Sequence, residues 1–237
     1  MKLRVRATKI GKVRFTSHRD AARMWERALR RAGLPVAFSE GFTPRPKISF
    51  GLALPTGAES IAEYVDIELQ HTVQAADLDL VTLPERLSEA LPGGFDVLVV
   101  AERDPAAESL QEAVTSCTWE LWSPLLEQQH HLDARRLLES AELVLERERK
   151  GKRSADDVRP MILGLRPDPS GDRLIADLAT VGRALRPGEL AELAYPHLDP
   201  RDVRALRTHQ WFDHDGTRRE LLPLPADVDA RTFEVPA

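Results

Sequence analysis

The chain has 237 residues, 42% hydrophobic and 30% charged, enough for one large domain or two of about 100–120 residues, each with its own core. No apolar run approaches the roughly 20 residues of a membrane helix, and MKLRVRATKI lacks the apolar segment of a secretory signal, which predicts a cytoplasmic protein without a membrane partner. A single cysteine, Cys117, excludes an internal disulfide and an iron–sulfur cluster held by three or four cysteines of this chain.

The net charge of −5 conceals an asymmetry. Residues 1–50 hold 13 Lys/Arg against 3 Asp/Glu, whereas the other 187 hold 20 against 35. A focused positive end of this kind steers and holds an anionic partner.

Residues 2–9, KLRVRATK, alternate strictly, with Leu3, Val5 and Ala7 on one face and Lys2, Arg4 and Arg6 on the other. The pattern predicts a half-buried strand, continued or paired by VRF at 13–15. Ser17-x-x-Asp20 is a capping-box signal for a helix to about Ala32, closed by Gly33 and Pro35. Its apolar stripe is Ala21, Trp25, Ala28, Leu29 and Ala32, and Arg19, Arg23, Arg27 and Arg30/Arg31 recur on another face. Short strands follow at 36–38, 48–54 and 62–69, then a helix within 78–91 and a strand at 95–101. This β-α-β-β-α-β order predicts a ferredoxin-like split βαβ unit with an extra hairpin, residues 1–104.

The same plan recurs more loosely over 112–210. Strands are expected at 115–122, 142–150 and 172–180, and helices at 132–141, 155–165 and 187–207, the last broken at Pro196. The fold class is therefore α+β, two ferredoxin-like halves, with residues 211–237 a poorly structured tail.

FSEGFTPRPKISFG, 38–51, carries the strongest functional signal. Proline fixes φ and drives the preceding residue extended, so Thr43-Pro44-Arg45-Pro46-Lys47 should be a stiff cationic arm. Holding Arg45 and Lys47 in place lowers the entropy lost on gripping a phosphate. Ser39 and Thr43 are neutral donors to phosphate oxygens, and Phe42 is a platform for unpaired bases. Phe50 suits either stacking or core packing. With Arg14, Ser17, His18, Arg19, Arg23 and Arg27, this arm forms a candidate RNA-binding surface. A second basic patch, Arg149, Lys152 and Arg153 around Gly151, suits either an extension of that surface or a solvated turn. His18 is a weak candidate for a catalytic base. Glu59, Glu63, Asp66 and Glu68 read as a solvated strand edge, Cys117 as a small buried residue, and no metal-ligand spacing or cofactor motif is present.

The run RFTSHRDAARMWERALRRAGLPVAFSEGFTPRPKISFGLALPTGAESIAEYVDIEL, with VRPMI later, resembles the radical-SAM-linked protein family. The resemblance spans roughly residues 1–200 and is dense over 14–69; Ser17 departs from the GH-D often found at the helix start, whereas His18 and Asp20 keep the pattern. In that family the domain is fused to a B12-binding radical SAM protein or encoded as a separate short chain. The resemblance implies a separately encoded radical SAM partner and a tRNA or rRNA substrate. This chain lacks the three-cysteine motif, so the implied role is that of a companion.

The expected function is thus an RNA-binding companion that presents tRNA or rRNA to a modification or processing enzyme, without activity or cofactor of its own. The alternatives are a metal-independent ribonuclease or RNA-modifying enzyme using His18, and a protein–protein module without RNA.

Overall fold

The computed structural model describes residues 1–73, 78–149, 151–182 and 184–224. It is a mixed α+β protein with a mostly antiparallel sheet, and its chain divides into two compact units: Met1–Ala113 rejoined from Glu220 onward, and Val114–Arg219. Among the described residues no helix is long and apolar enough to cross a membrane.

The first unit contains β1 (Lys2–Lys9), α1 (His18–Arg31), β2 (Ile48–Phe50), β3 (Glu59–Glu68), α2 (Leu83–Ala90), β4 (Val97–Glu102) and the single turn α3 (Leu110–Ala113). Antiparallel pairing gives the order β4-β1-β3-β2, the split βαβ arrangement the pattern predicts. Leu3, Val5 and Ala7 meet Val65 and Ile67 from β3 and Trp25, Ala28 and Leu29 from α1 in one apolar core. Burying such side chains contributes about 1.5–3 kcal/mol each for the larger ones, which anchors α1 through one stripe and leaves its other faces to solvent. Ser17 caps α1 by accepting from the Asp20 N–H at 3.1 Å.

Several expectations are corrected. VRF at 13–15 belongs to a 3-10 turn, Gly11–Phe15, and forms no strand. The other face of β1 is not solvated: Arg4 and Arg6 are buried, Arg4 against Asp66 and Arg6 against Glu220 and the carbonyls of Ile61 and Leu222. The segment returning from Glu220 carries the apolar Leu221 and Leu222 over Tyr64 and Ala62, converting an amphipathic strand into one covered on both sides. The extra hairpin at 36–47 is reduced to two isolated bridges, Val36 with Leu69 and Phe38 with Pro46, because prolines deny it ladder donors.

The second unit contains β5 (Ser116–Trp122), α4 (Gln128–Ala134), β6 (Val144–Arg149), β7 (Lys152–Asp157), β8 (Ile162–Pro167), β9 (Leu174–Ala179), α5 (Pro187–Ala194), β10 (Arg204–His214) and β11 (Thr217–Glu220). Its sheet order is β10-β5-β9-β8, which repeats the order of the first unit strand for strand. β6 and β7 form a separate hairpin inserted between the first helix and the second sheet strand, where the first unit carries its proline arm. The helix expected at 155–165 is instead the end of β7, a 3-10 turn at Arg159–Met161 and β8; Pro160 tolerates a first turn but not a helix interior. Residues 204–207 are strand, not helix. Residues 211–220, expected in the tail, extend β10 and form β11, turned by Asp215 and Gly216 at φ 51° and 72°. Positive φ at both turn residues suits the right-handed twist of paired strands. Residues 225–237 lie outside the described residues.

Candidate nucleic-acid interface

The arm begins where the chain leaves α1. Gly33, at φ +67°, reverses the chain after the helix. Ala37 N–H donates to the Glu68 carbonyl at 2.8 Å, and Glu68 N–H donates to the Lys47 carbonyl at 3.0 Å, stitching both feet of the arm to the end of β3. Above them Lys47 N–H bonds the Ala37 carbonyl and Ser39 N–H the Arg45 carbonyl, each at 2.8 Å. Arg45 N–H donates to Ser39 Oγ at 3.0 Å. The segment is therefore a closed, pinned loop rather than an extended arm, with Ser39 acting as an internal acceptor.

Glu40–Arg45 stand at its exposed tip. Phe42 is fully exposed, and Phe38 is exposed at the neck. A phenylalanine this free of packing leaves its apolar area in water. Arg45 and Thr43 are exposed beside it, and Arg45 makes no ion pair among the described residues. Lys47 differs: its Nζ lies 2.7 Å from Glu68 Oε1, and Lys2 lies 3.4 Å from the other oxygen of the same carboxylate. The hydrogen bond from Lys47 holds the Glu68 carboxyl below its ordinary range.

On α1, Arg19, Arg23, Arg27, Arg30 and Arg31 are exposed. Their three- and four-residue spacing ranges Arg19, Arg23, Arg27 and Arg30 along one side of the helix. Arg23 lies 3.4 Å from Asp20, and Arg31 donates to the Ala90 carbonyl. Arg14 is engaged elsewhere, 3.3 Å from the buried Glu59 and over the Phe15 ring at 4.7 Å. Ser17 serves the helix cap. The thirteen cations of residues 1–50 thus do not make one wall: Arg4, Arg6 and Lys9 are buried, whereas the α1 arginines and Arg45 face water.

His18 is exposed at the first turn of α1, its ring edge-on to Phe50 at 5.3 Å and 81°. Both border a small cleft of about 30 Å³ lined also by Lys9, Trp25, Glu63 and Phe95. Phe50 is therefore neither wholly core nor a free platform, and the solvated strand edge is corrected as well: Glu63 lines the cleft, while Glu59 and Asp66 are buried against Arg14 and Arg4. The cleft was not among the sites expected from the sequence. Its signal was Lys9, which falls on the apolar face of β1 after Leu3, Val5 and Ala7.

The second basic patch occupies the β6–β7 hairpin. Arg149 and Lys152 are paired across it, with Gly151 at φ +74° between them; their side chains and Lys150 lie outside the described residues. Arg153 is exposed, 3.6 Å from Glu148, and Arg147 is held by Glu189 at 2.6 Å. Cys117 is buried as expected, and His131 is also buried, with its Nδ1 2.7 Å from the Tyr195 hydroxyl. Neither sits in the cleft or on the arm.

These features define an α+β protein of two ferredoxin-like units, the first of which presents an arginine-faced helix and a pinned loop tipped by an exposed aromatic ring. Residues 2–187 match the model of a family described as uncharacterised protein conserved in bacteria (DUF2344), and the chain belongs to that family. No curated protein matches the chain. Nothing in the family match connects it to radical SAM enzymes.

Proposed function

We propose that this protein binds single-stranded or looped RNA through its first unit and presents it to a modification or processing enzyme. The observation that carries this reading is Phe42, fully exposed on a loop whose neck is pinned by the Ser39–Arg45 hydrogen bonds. Bases stack on such rings whatever their identity, and phosphates are held by neighbouring cations. Support also comes from Arg19, Arg27, Arg30 and Arg45, exposed and without ion pairs among the described residues. A separately encoded radical SAM enzyme as the partner rests on the family resemblance alone.

Gel-shift titration with total tRNA at several salt concentrations tests the reading. Each phosphate-binding cation removed should lower the slope of log affinity against log salt by roughly 0.7–0.9. The triple variant Arg19→Ala/Arg27→Ala/Arg45→Ala should therefore bind more weakly and with a slope shallower by about two. Equal binding by the variant and the wild type would remove this surface from the proposal.

A second reading, His18 as the base of a metal-independent ribonuclease, is favoured by the position of its exposed ring at the mouth of a cleft. Incubation with labelled RNA in chelator tests it; cleavage that persists in His18→Ala would eliminate this histidine.

A further inference from the structure

The two units repeat one strand order, and each carries a buried aspartate at the same place in it: Asp66 on β3 opposite Arg4 on β1, and Asp177 on β9 opposite Thr118 on β5. The first is a built-in control for the second. Asp66 is sealed by Arg4 and Arg103, whose side chains are only 7% and 13% exposed. At Asp177 the neighbouring strand supplies no cation, only the Thr118 hydroxyl, which donates to Oδ1. Two arginines complete the shell from the solvent side. Arg166 donates to Oδ2 and Arg218 to Oδ1, each at 2.9 Å, and their side chains are 55% and 38% exposed. From this difference we infer that Arg166 and Arg218 form a phosphate-binding site on the second unit, aimed by the buried Asp177.

The cluster exceeds what a structural ion pair needs. One guanidinium can hold a carboxylate with two prongs, as Arg4 holds Asp66. Arg166 and Arg218 each spend a single N–H on Asp177 and make no other hydrogen bond or ion pair among the described residues, so most of their donors stay unspent. Two positive charges meet one negative. Burial opposes the charge of Asp177, but hydrogen bonds from Thr118, Arg166 and Arg218 outweigh it and hold the carboxyl below its ordinary range. The support is fixed in turn: Trp211 Nε1–H donates to Thr118 Oγ1 at 2.7 Å, and the Arg218 guanidinium lies 4.5 Å from the centre of the Trp211 ring. Gly164, paired with Asp177 across β8 and β9, adds no side chain beside the carboxylate. The unspent donors select the ligand. A planar carboxylate is satisfied by one guanidinium fork, whereas a tetrahedral phosphoryl group offers separate oxygens to two. Two sources supply such a group: the backbone of an RNA strand, which rests on the proposed function, or a free phosphate ester.

The full chain is titrated with inorganic phosphate, followed by phosphorus NMR line width, and with oligouridylate 12-mers by gel shift at several salt concentrations. Inorganic phosphate should bind saturably. Arg166→Gln and Arg218→Gln, made singly so that one arginine stays on Asp177, should each weaken it about tenfold, as loss of a hydrogen bond to a charged group does. The variant Arg19→Ala/Arg27→Ala/Arg45→Ala should bind phosphate as the wild type does. On RNA, each single variant should lower the salt slope by roughly 0.7. Asp177→Asn separates an aimed site from a diffuse basic patch: it adds one positive charge, so a patch would gain affinity, whereas this site should lose several-fold. Weaker phosphate binding with unchanged 12-mer binding would assign the site to a free phosphate ester. Phosphate binding by a chain that binds no RNA would keep the site and end the RNA reading of the first unit. Phosphate binding absent or unchanged in both single variants, with unchanged 12-mer slopes, or a gain of affinity in Asp177→Asn, would overturn the inference.

Discussion

Arg4 on β1 and Asp66 on β3 face each other as a two-pronged pair, with Nε–Oδ1 at 2.8 Å and the second prong at 2.9 Å, both side chains buried. The register Arg4 to Asp66 sets the two residues side by side, and Arg103 approaches the same carboxylate at 3.3 Å. A residue from the most basic stretch of the chain is thereby committed inside the molecule. Removing one member of a buried pair costs about 3–5 kcal/mol when the other is left without compensation, and here Arg103 stays beside Asp66, which puts the loss at the low end. Arg4→Met should lower the urea-unfolding stability of the first unit by roughly 3 kcal/mol. A loss below about 1 kcal/mol, the range of exposed pairs, would mean that Arg103 or water takes over the Asp66 carboxylate.

Arg45 and Lys47 are adjacent cations of the arm with different partners. Lys47 is committed to Glu68 at 2.7 Å, so Lys47→Ala should change RNA affinity less than Arg45→Ala does. Phe42→Ala should weaken RNA binding by roughly tenfold without altering the melting temperature, since the ring is fully exposed. Ser39→Ala removes the acceptor of the Arg45 N–H and should cost a few-fold in affinity by loosening the loop. Gel-shift and thermal melting of the four variants decide the order.

Gly94 precedes β4 at φ +95°, and an added Cβ would lie 2.4 Å from the Ile10 carbonyl oxygen and 2.8 Å from Val13 Cγ2. Its own carbonyl accepts from Ile10 N–H at 2.9 Å. Gly94→Ala combines backbone strain with overlap against the turn that leads into α1, and should destabilise by about 2–3 kcal/mol. Chemical denaturation checks this, and a neutral effect would contradict the close approach.

His131 should make the second unit sensitive to acid. Burial disfavours its imidazolium and lowers its pKa from the ordinary 6.5, with a bond to the Asp172 backbone and the charge of Asp168 opposing. Below about pH 6.5 the unfolded chain takes up a proton that the folded unit excludes, so stability is full above that value. It falls as pH drops towards the folded pKa, by at most about 1.4 kcal/mol per unit. His131→Leu should flatten the urea-midpoint profile between about pH 7 and 5; an unchanged slope would show that other groups control it.

Local signals in the chain determined a good deal. Alternation in 2–9, the Ser17–Asp20 cap, the stripe of Trp25, Ala28 and Leu29, and the paired prolines around Arg45 each act over a few residues, so the elements of the first unit and the place of the proline loop, though not its closure, could be read directly. The Asp215-Gly216 turn was equally local but was hidden by the charges around it. Long-range packing decided the rest. Arg4 and Arg6 look solvated until Asp66 and the returning Glu220 reach them, and Lys9 looks like surface charge until the fold buries it against the Thr16 carbonyl. Charge and periodicity set which side of a strand a residue takes; whether water or another segment waits on that side depends on residues far along the chain, which only the closed fold brings near.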